Sequence, residues 1–157
     1  MKKFLLIVIL FFAHSSFAVT IANCQNPEGH AYFPYAGFNP KDMVGWDKDK
    51  ITGGITQLVM DDKGQFDIQF VDASKQIISS KEDGADIFLF AINENSIGLA
   101  AIYVGRLIET YTFIKDLSGN NEYLMTQSKV NTPVPKAGVM RGTCSFIDFS
   151  ALEKIKE

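Results

Sequence analysis

The feature that most constrains this chain is a series of turn-forming clusters between residues 54 and 130. Asp61-Asp62-Lys63-Gly64, Asp72-Ala73-Ser74, Lys81-Glu82-Asp83-Gly84, Asn93-Glu94-Asn95-Ser96, Gly105-Arg106 and Ser118-Gly119-Asn120-Asn121 recur about every ten residues. Each supplies residues that tolerate positive φ or hydrogen-bond their own backbone, which a tight reversal requires. The segments between them are 55–60, 66–71, 76–80, 86–92, 98–104, 107–114 and 122–130. None has the length of a parallel crossover. The fold expected is therefore all-β, a single antiparallel meander of about eight strands forming a barrel or strongly curled sheet.

Side-chain alternation refines this. Phe66-Asp67-Ile68-Gln69-Phe70 puts apolar groups on one face and polar groups on the other, as in a half-buried strand. Ile87-Phe88-Leu89-Phe90-Ala91-Ile92 is apolar on both faces. It reads as a central strand covered on both sides by its own chain, with a surface for another chain as the alternative. In 107–114, Leu107, Tyr111 and Phe113 share a face with Glu109. If that face points inward, a carboxylate goes with it, and an unpaired buried carboxylate is disfavoured as an anion. Glu109 then pairs with a base such as Arg106 or Arg141, or sits at a wet sheet edge. In the third arrangement it lines a cavity with Tyr103, Tyr111 and Tyr123 and takes a cationic or hydrogen-bonding ligand. Those four residues are the candidate ligand-binding set.

At the N-terminus, Lys2-Lys3 precedes an apolar run, Phe4 to Ala13, that is too short to span a bilayer, and Ser16-Phe17-Ala18 supplies small residues for cleavage. Residues 1–18 read as a cleaved secretory signal peptide and 19–157 as a single β domain, periplasmic or extracellular, with no transmembrane segment. A retained amphipathic or membrane anchor is the alternative. The chain carries 15 basic and 18 acidic residues, and losing Lys2 and Lys3 leaves 13 against 18, a net charge of −5. Nothing in that balance favours nucleic acid as a partner, which usually asks for a basic stripe.

Both cysteines lie beyond the leader, and in an oxidising compartment Cys24 and Cys144 read as a disulfide joining the two ends of the sheet. Ile21-Ala22-Asn23-Cys24 offers a competing lipoprotein cleavage site; Asn23 is large for its position, and Cys144 would be left without a partner.

Flanking the strand series, residues 25–53 read as loop, with a turn at Asn26-Pro27-Glu28-Gly29 and a one-turn helix capped by Asn39, begun by Pro40 and ended by Gly45. Tyr32, Tyr35 and Trp46 read as a lid of aromatics plugging the open end of the sheet, the alternative being a stacking platform for a sugar or peptide. Residues 130–142 read as an extended crossing loop and 143–149 as a last strand. A short C-terminal helix follows, with capping-box spacing at Ser150-Ala151-Leu152-Glu153 and docking through Leu152 and Ile155.

Chemistry-bearing motifs are sparse. His30 is the only histidine after residue 18, which excludes a multi-histidine metal site. No nucleophile elbow, zinc-protease or phosphate-cradling motif occurs, and Asp47-Lys48-Asp49 begins like a calcium loop without its glycine and terminal glutamate. No catalytic residue, metal or cofactor is therefore assigned. Gly45-Trp46 ahead of a meander and terminal helix resembles the lipocalin pattern, though lipocalins keep one residue between the two. That resemblance implies a barrel binding small apolar molecules. Ser118-Gly119-Asn120-Asn121-Glu122-Tyr123 resembles the Ser-Gly-x-x-Tyr loop of periplasmic lysozyme inhibitors, with the tyrosine one residue late. It implies a partner loop carried by Ser118, Gly119 and Tyr123. The function expected is a non-catalytic domain binding a small ligand or a protein, with an inhibitor of a cell-wall-degrading enzyme, or a hydrolase without a recognisable motif, as alternatives.

Overall fold

The computed structural model describes residues 18–71 and 75–155. The expected signal segment, Ala18 apart, lies outside the described residues, as does the Asp72-Ala73-Ser74 turn. The described residues form ten antiparallel strands in one sheet: β1 (Val19–Phe33), β2 (Gly45–Lys50), β3 (Ile55–Met60), β4 (Phe66–Val71), β5 (Ile77–Ser79), β6 (Asp86–Ile92), β7 (Ser96–Tyr103), β8 (Leu107–Ile114), β9 (Glu122–Lys129) and β10 (Lys136–Ile147).

The order β5-β4-β3-β1-β10-β9-β8-β7-β6 corrects the expectation of one meander. Two meanders, β3 to β5 and β6 to β10, are joined through β1, and β2 lies beside the second half of β1. The pair β1–β10 is the seam, closed covalently where Cys24 and Cys144 face each other and are bonded. The disulfide removes the lipoprotein reading of Cys24.

Strands β5 and β6 occupy opposite ends of this order, yet only residues 80–85 separate them. A link of that length reaches roughly 20 Å at most, so the sheet curls into a half-barrel and the link crosses its open side. The link is tied at both ends. Ser80 N–H donates to Ile68 O on β4 at 2.8 Å, and Arg106, in the β7–β8 turn, donates to Asp83 O at 2.9 Å. The concave face holds the core, with Ile21, Leu58, Ile68, Ile97, Leu99, Phe113, Tyr123 and Met140 all but completely buried.

Several local expectations are corrected. The Asn26-Pro27 turn is a bulge inside β1: Asn26 adopts φ 54°, the register slips between Gln25 and Glu28, and Pro27 is buried. The bulge is held by Asn26 N–H to Gly54 O and Ile51 N–H to Pro27 O, both 3.0 Å. Asn39 caps nothing; its amide donates to the carbonyls of Pro34 (2.9 Å) and Pro135 (2.8 Å), and only Lys41–Met43 make a 3-10 turn. Much of the expected crossing loop is strand β10, because its prolines fall before residue 136 and leave the later N–H groups free to pair. The C-terminal helix is a 3-10 segment, Ser150–Ile155. Asp148, not Ser150, supplies the side-chain oxygen there, accepting from Ser150 N–H at 2.9 Å. Leu152 docks as expected, at 2 % exposure, while the side chains of Glu153 and Ile155 are outside the described set. β6 is an edge strand rather than a covered central one, with Phe88, Leu89, Phe90 and Ile92 all exposed.

Candidate functional site

The period of two along β8 sends Leu107, Glu109, Tyr111 and Phe113 to the concave face. Cross-strand register then builds layers: Tyr103, Leu107 and Lys129; Ala101, Glu109 and Gln127; Leu99, Tyr111 and Met125. Opposite this wall stand Ile55 and Thr56 of β3 and Phe70 and Val71 of β4, with Pro27 and Ile51 at the rim. Between the walls is a cavity of about 390 Å³, lined also by Tyr103, Glu109, Tyr111 and Met125, with Asp83 and Lys129 as its other charged groups.

Glu109 is 8 % exposed, and its Oε2 accepts the Tyr111 hydroxyl at 2.7 Å. Burial pushes its carboxyl above the ordinary carboxylate range, opposed in part by the Tyr111 hydrogen bond and by the charges of Lys129 and Lys136. The Tyr111 phenol is held well above its usual value by burial and by the adjacent carboxylate. Burial also raises Tyr103, eased by the neighbouring Ser80 hydroxyl.

Neither candidate base reaches Glu109. Arg106 turns to Asp83 and lies over the Tyr103 ring, 5.1 Å from its centroid, and Arg141 pairs with Glu122. Of the three arrangements open to Glu109, the observed one is the cavity wall. Tyr103 and Tyr111 share that wall with it; Tyr123 does not. Tyr123 is fully buried, stacks on Phe113 at 5.8 Å and shares a 3.2 Å hydrogen bond with Thr56, which places it beneath the cavity. Burial raises its phenol as well.

Residues that sequence reasoning missed extend the polar row. Asp49 on β2 accepts from Lys136 Nζ at 2.5 Å and from Gln127 Nε2 at 3.3 Å, and Gln127 is the cross-strand neighbour of Glu109. The signal was present in the alternation Asp47-Lys48-Asp49-Lys50, which reads as a strand with acids on one face and bases on the other.

Ser118 and Gly119 sit in the β8–β9 hairpin beside Leu117, which is 92 % exposed. Asp116 organises this turn, accepting from Ser118 N–H at 3.1 Å and from the Ser118 hydroxyl, and these bonds lower its carboxyl pKa. Tyr123 contributes nothing to the turn surface. His30 is exposed on the outer face opposite Lys48. No group of three or more His, Cys, Asp or Glu is gathered for a metal among the described residues.

One consequence is a stability profile. A carboxyl whose pKa is raised on folding binds its proton more tightly in the native state, so stability falls as pH rises from the ordinary carboxylate pKa through the raised one. Glu109→Gln removes that dependence while keeping an oxygen for Tyr111. Thermal melts are expected to show the variant matching the wild type near pH 4 and melting above it near pH 7. A lower melting temperature for the variant near pH 7 would show that the ionised carboxylate is itself a stabilising partner.

No family model, curated protein or solved structure matches this chain, so the reading of its function rests on its own residues.

Proposed function

We propose that this chain is an exported, non-catalytic binding domain that takes one small amphipathic molecule into the cavity between β7–β9 and β3–β4. The observation that carries the reading is a buried carboxyl facing open space: Glu109 is bonded to Tyr111, has no basic side chain bonded to it, and borders about 390 Å³. Pockets for small molecules span roughly 300–1,000 Å³, so the volume suits a compact ligand. Leu107, Met125, Ile55, Phe70 and Val71 offer an apolar berth, while Glu109 and Tyr103 offer a place for an amine or hydroxyl head. Export is supported by the disulfide, by the apolar run at residues 4–13, and by the absence among the described residues of a helix long and apolar enough to cross a membrane. The inhibitor alternative has weaker support, since the tyrosine it asks of the 118–123 loop is in the core.

The test is an NMR titration of the protein with hexylamine, hexanol and hexanoate. Hexylamine and hexanol are expected to give saturable shifts centred on Tyr103, Glu109, Tyr111 and Met125, with hexanoate much weaker. Glu109→Gln should weaken hexylamine about tenfold, the order of one lost charge-assisted contact, and hexanol less. Shifts confined to surface residues, or no saturation, would overturn the proposal.

A further inference from the structure

The outer face of β1 and β2, with the rim groove beside it, carries a second set of groups, of which only Lys129 also lines the cavity. Along β2, Trp46, Lys48 and Lys50 alternate with Asp47 and Asp49, and Asp49 is engaged on the concave side by Gln127 and Lys136. Trp46, Lys48 and Lys50 therefore point outward, successive positions about 7 Å apart, and stand opposite Tyr32, His30 and Glu28 of β1. The aromatics do not plug the sheet as the sequence suggests. Trp46 is 72 % exposed and Tyr35 64 %, and the Trp46 and Tyr32 rings meet in a T-shaped pair, 5.7 Å between centroids at 70°.

Next to Tyr32 lies a groove of about 560 Å³ walled by Pro34, Ser128, Lys129, Asn131, Thr132 and Lys136. No carboxylate lines it, and the Thr132 hydroxyl is buried there without a hydrogen-bond partner. Lys41, Lys48 and Lys50 form no ion pair among the described residues, on a chain whose net charge is −3.

We propose that this face, from Lys50 and Trp46 into the groove beside Tyr32, binds an acidic oligosaccharide. Sugar rings present apolar faces that stack on exposed indole and phenol rings, and their hydroxyls match Ser128 and Asn131. Charge complementarity selects an acidic sugar over a neutral one: unpaired lysines flank the aromatic pair. Glu28 stands opposite Lys50 on the same face, so the field favours few, spaced negative charges. A nucleic-acid backbone, with a charge at every phosphate, lacks here the extended basic stripe it needs.

Trp46 is the only tryptophan of the chain, so its fluorescence reports this face directly. Titration with an oligomer of galacturonic acid is expected to change the Trp46 emission saturably. Affinity should fall about tenfold in the Lys48→Glu, Lys50→Glu double variant and in salt of about 0.5 M. The Glu109→Gln variant should bind the oligomer as the wild type does, which separates this site from the cavity. Equal binding of a neutral glucose oligomer would remove the role of the lysines and overturn the proposal. Tighter binding of a thymidine oligonucleotide would replace it with nucleic-acid recognition, and an unchanged emission at millimolar oligomer would refute it outright.

Discussion

Gly29→Ala is expected to destabilise the protein by about 3–5 kcal/mol, a cost reserved for changes that force backbone apart. A Cβ at this position would lie 2.0 Å from the Val139 carbonyl oxygen and 2.8 Å from the Met140 Cα, both on β10. Those atoms belong to the seam: Gly29 pairs with Met140 and His30 with Val139, so relief requires β1 and β10 to separate just beyond the Asn26-Pro27 bulge. Gly54→Ala is the control. Its Cβ would meet the Ile51 Cγ2 at 2.7 Å and the Ile51 Cβ and carbonyl oxygen at 3.2 Å, all in one turn residue that can shift without parting two strands, and a smaller cost of about 1–2 kcal/mol is expected. Urea denaturation of both variants measures the contrast. A Gly29→Ala variant within about 1 kcal/mol of the wild type would show that the seam tolerates separation.

The second large effect is the loss of the disulfide. Cys24 and Cys144 are 120 residues apart in sequence, and the bond closes a loop containing almost the whole domain. In the chain-entropy description such a crosslink stabilises chiefly by restricting the unfolded chain, and removing it from a small exported domain costs about 2–5 kcal/mol. The double variant Cys24→Ser, Cys144→Ser is expected to lose that amount and to become insensitive to reductant, whereas the wild type should show the same loss only when reduced. Mass spectrometry of unreduced protein should find no thiol open to alkylation; two alkylatable thiols would sink the prediction. Gly29→Ala and the cysteine pair act on one seam, so their combined effect is not expected to be the sum of the two.

These predictions rest on features of different legibility. The limits of β3, β4, β6 and β8 coincide with the segments marked off by turn chemistry, because a reversal needs particular residues at particular places and needs them locally. The inward position of Glu109 was equally readable, since a period of two binds it to the face of Tyr111 and Phe113. Local chemistry misled where the same residues serve two geometries. Asn26-Pro27-Glu28-Gly29 can turn a chain or bulge a strand, and the difference is made by β10 and the 51–54 turn lying alongside. β2 was hidden for a related reason: an exposed strand of alternating charges carries no apolar signal and exists because β1 offers it an edge.

By itself, then, the sequence determined the all-β class, most strand limits, the cysteine pair and the face on which Glu109 lies, all of which follow from spacing along the chain. The tertiary structure alone decided that β1 and β10 form the central seam, that β6 and Trp46 remain exposed, and that Glu109 borders a cavity with no base bonded to it. The physical reason is common to all three. Which strand lies beside which is a pairing between residues up to 120 positions apart, and coverage and cavity volume depend on the separation of walls that meet only after those pairings form.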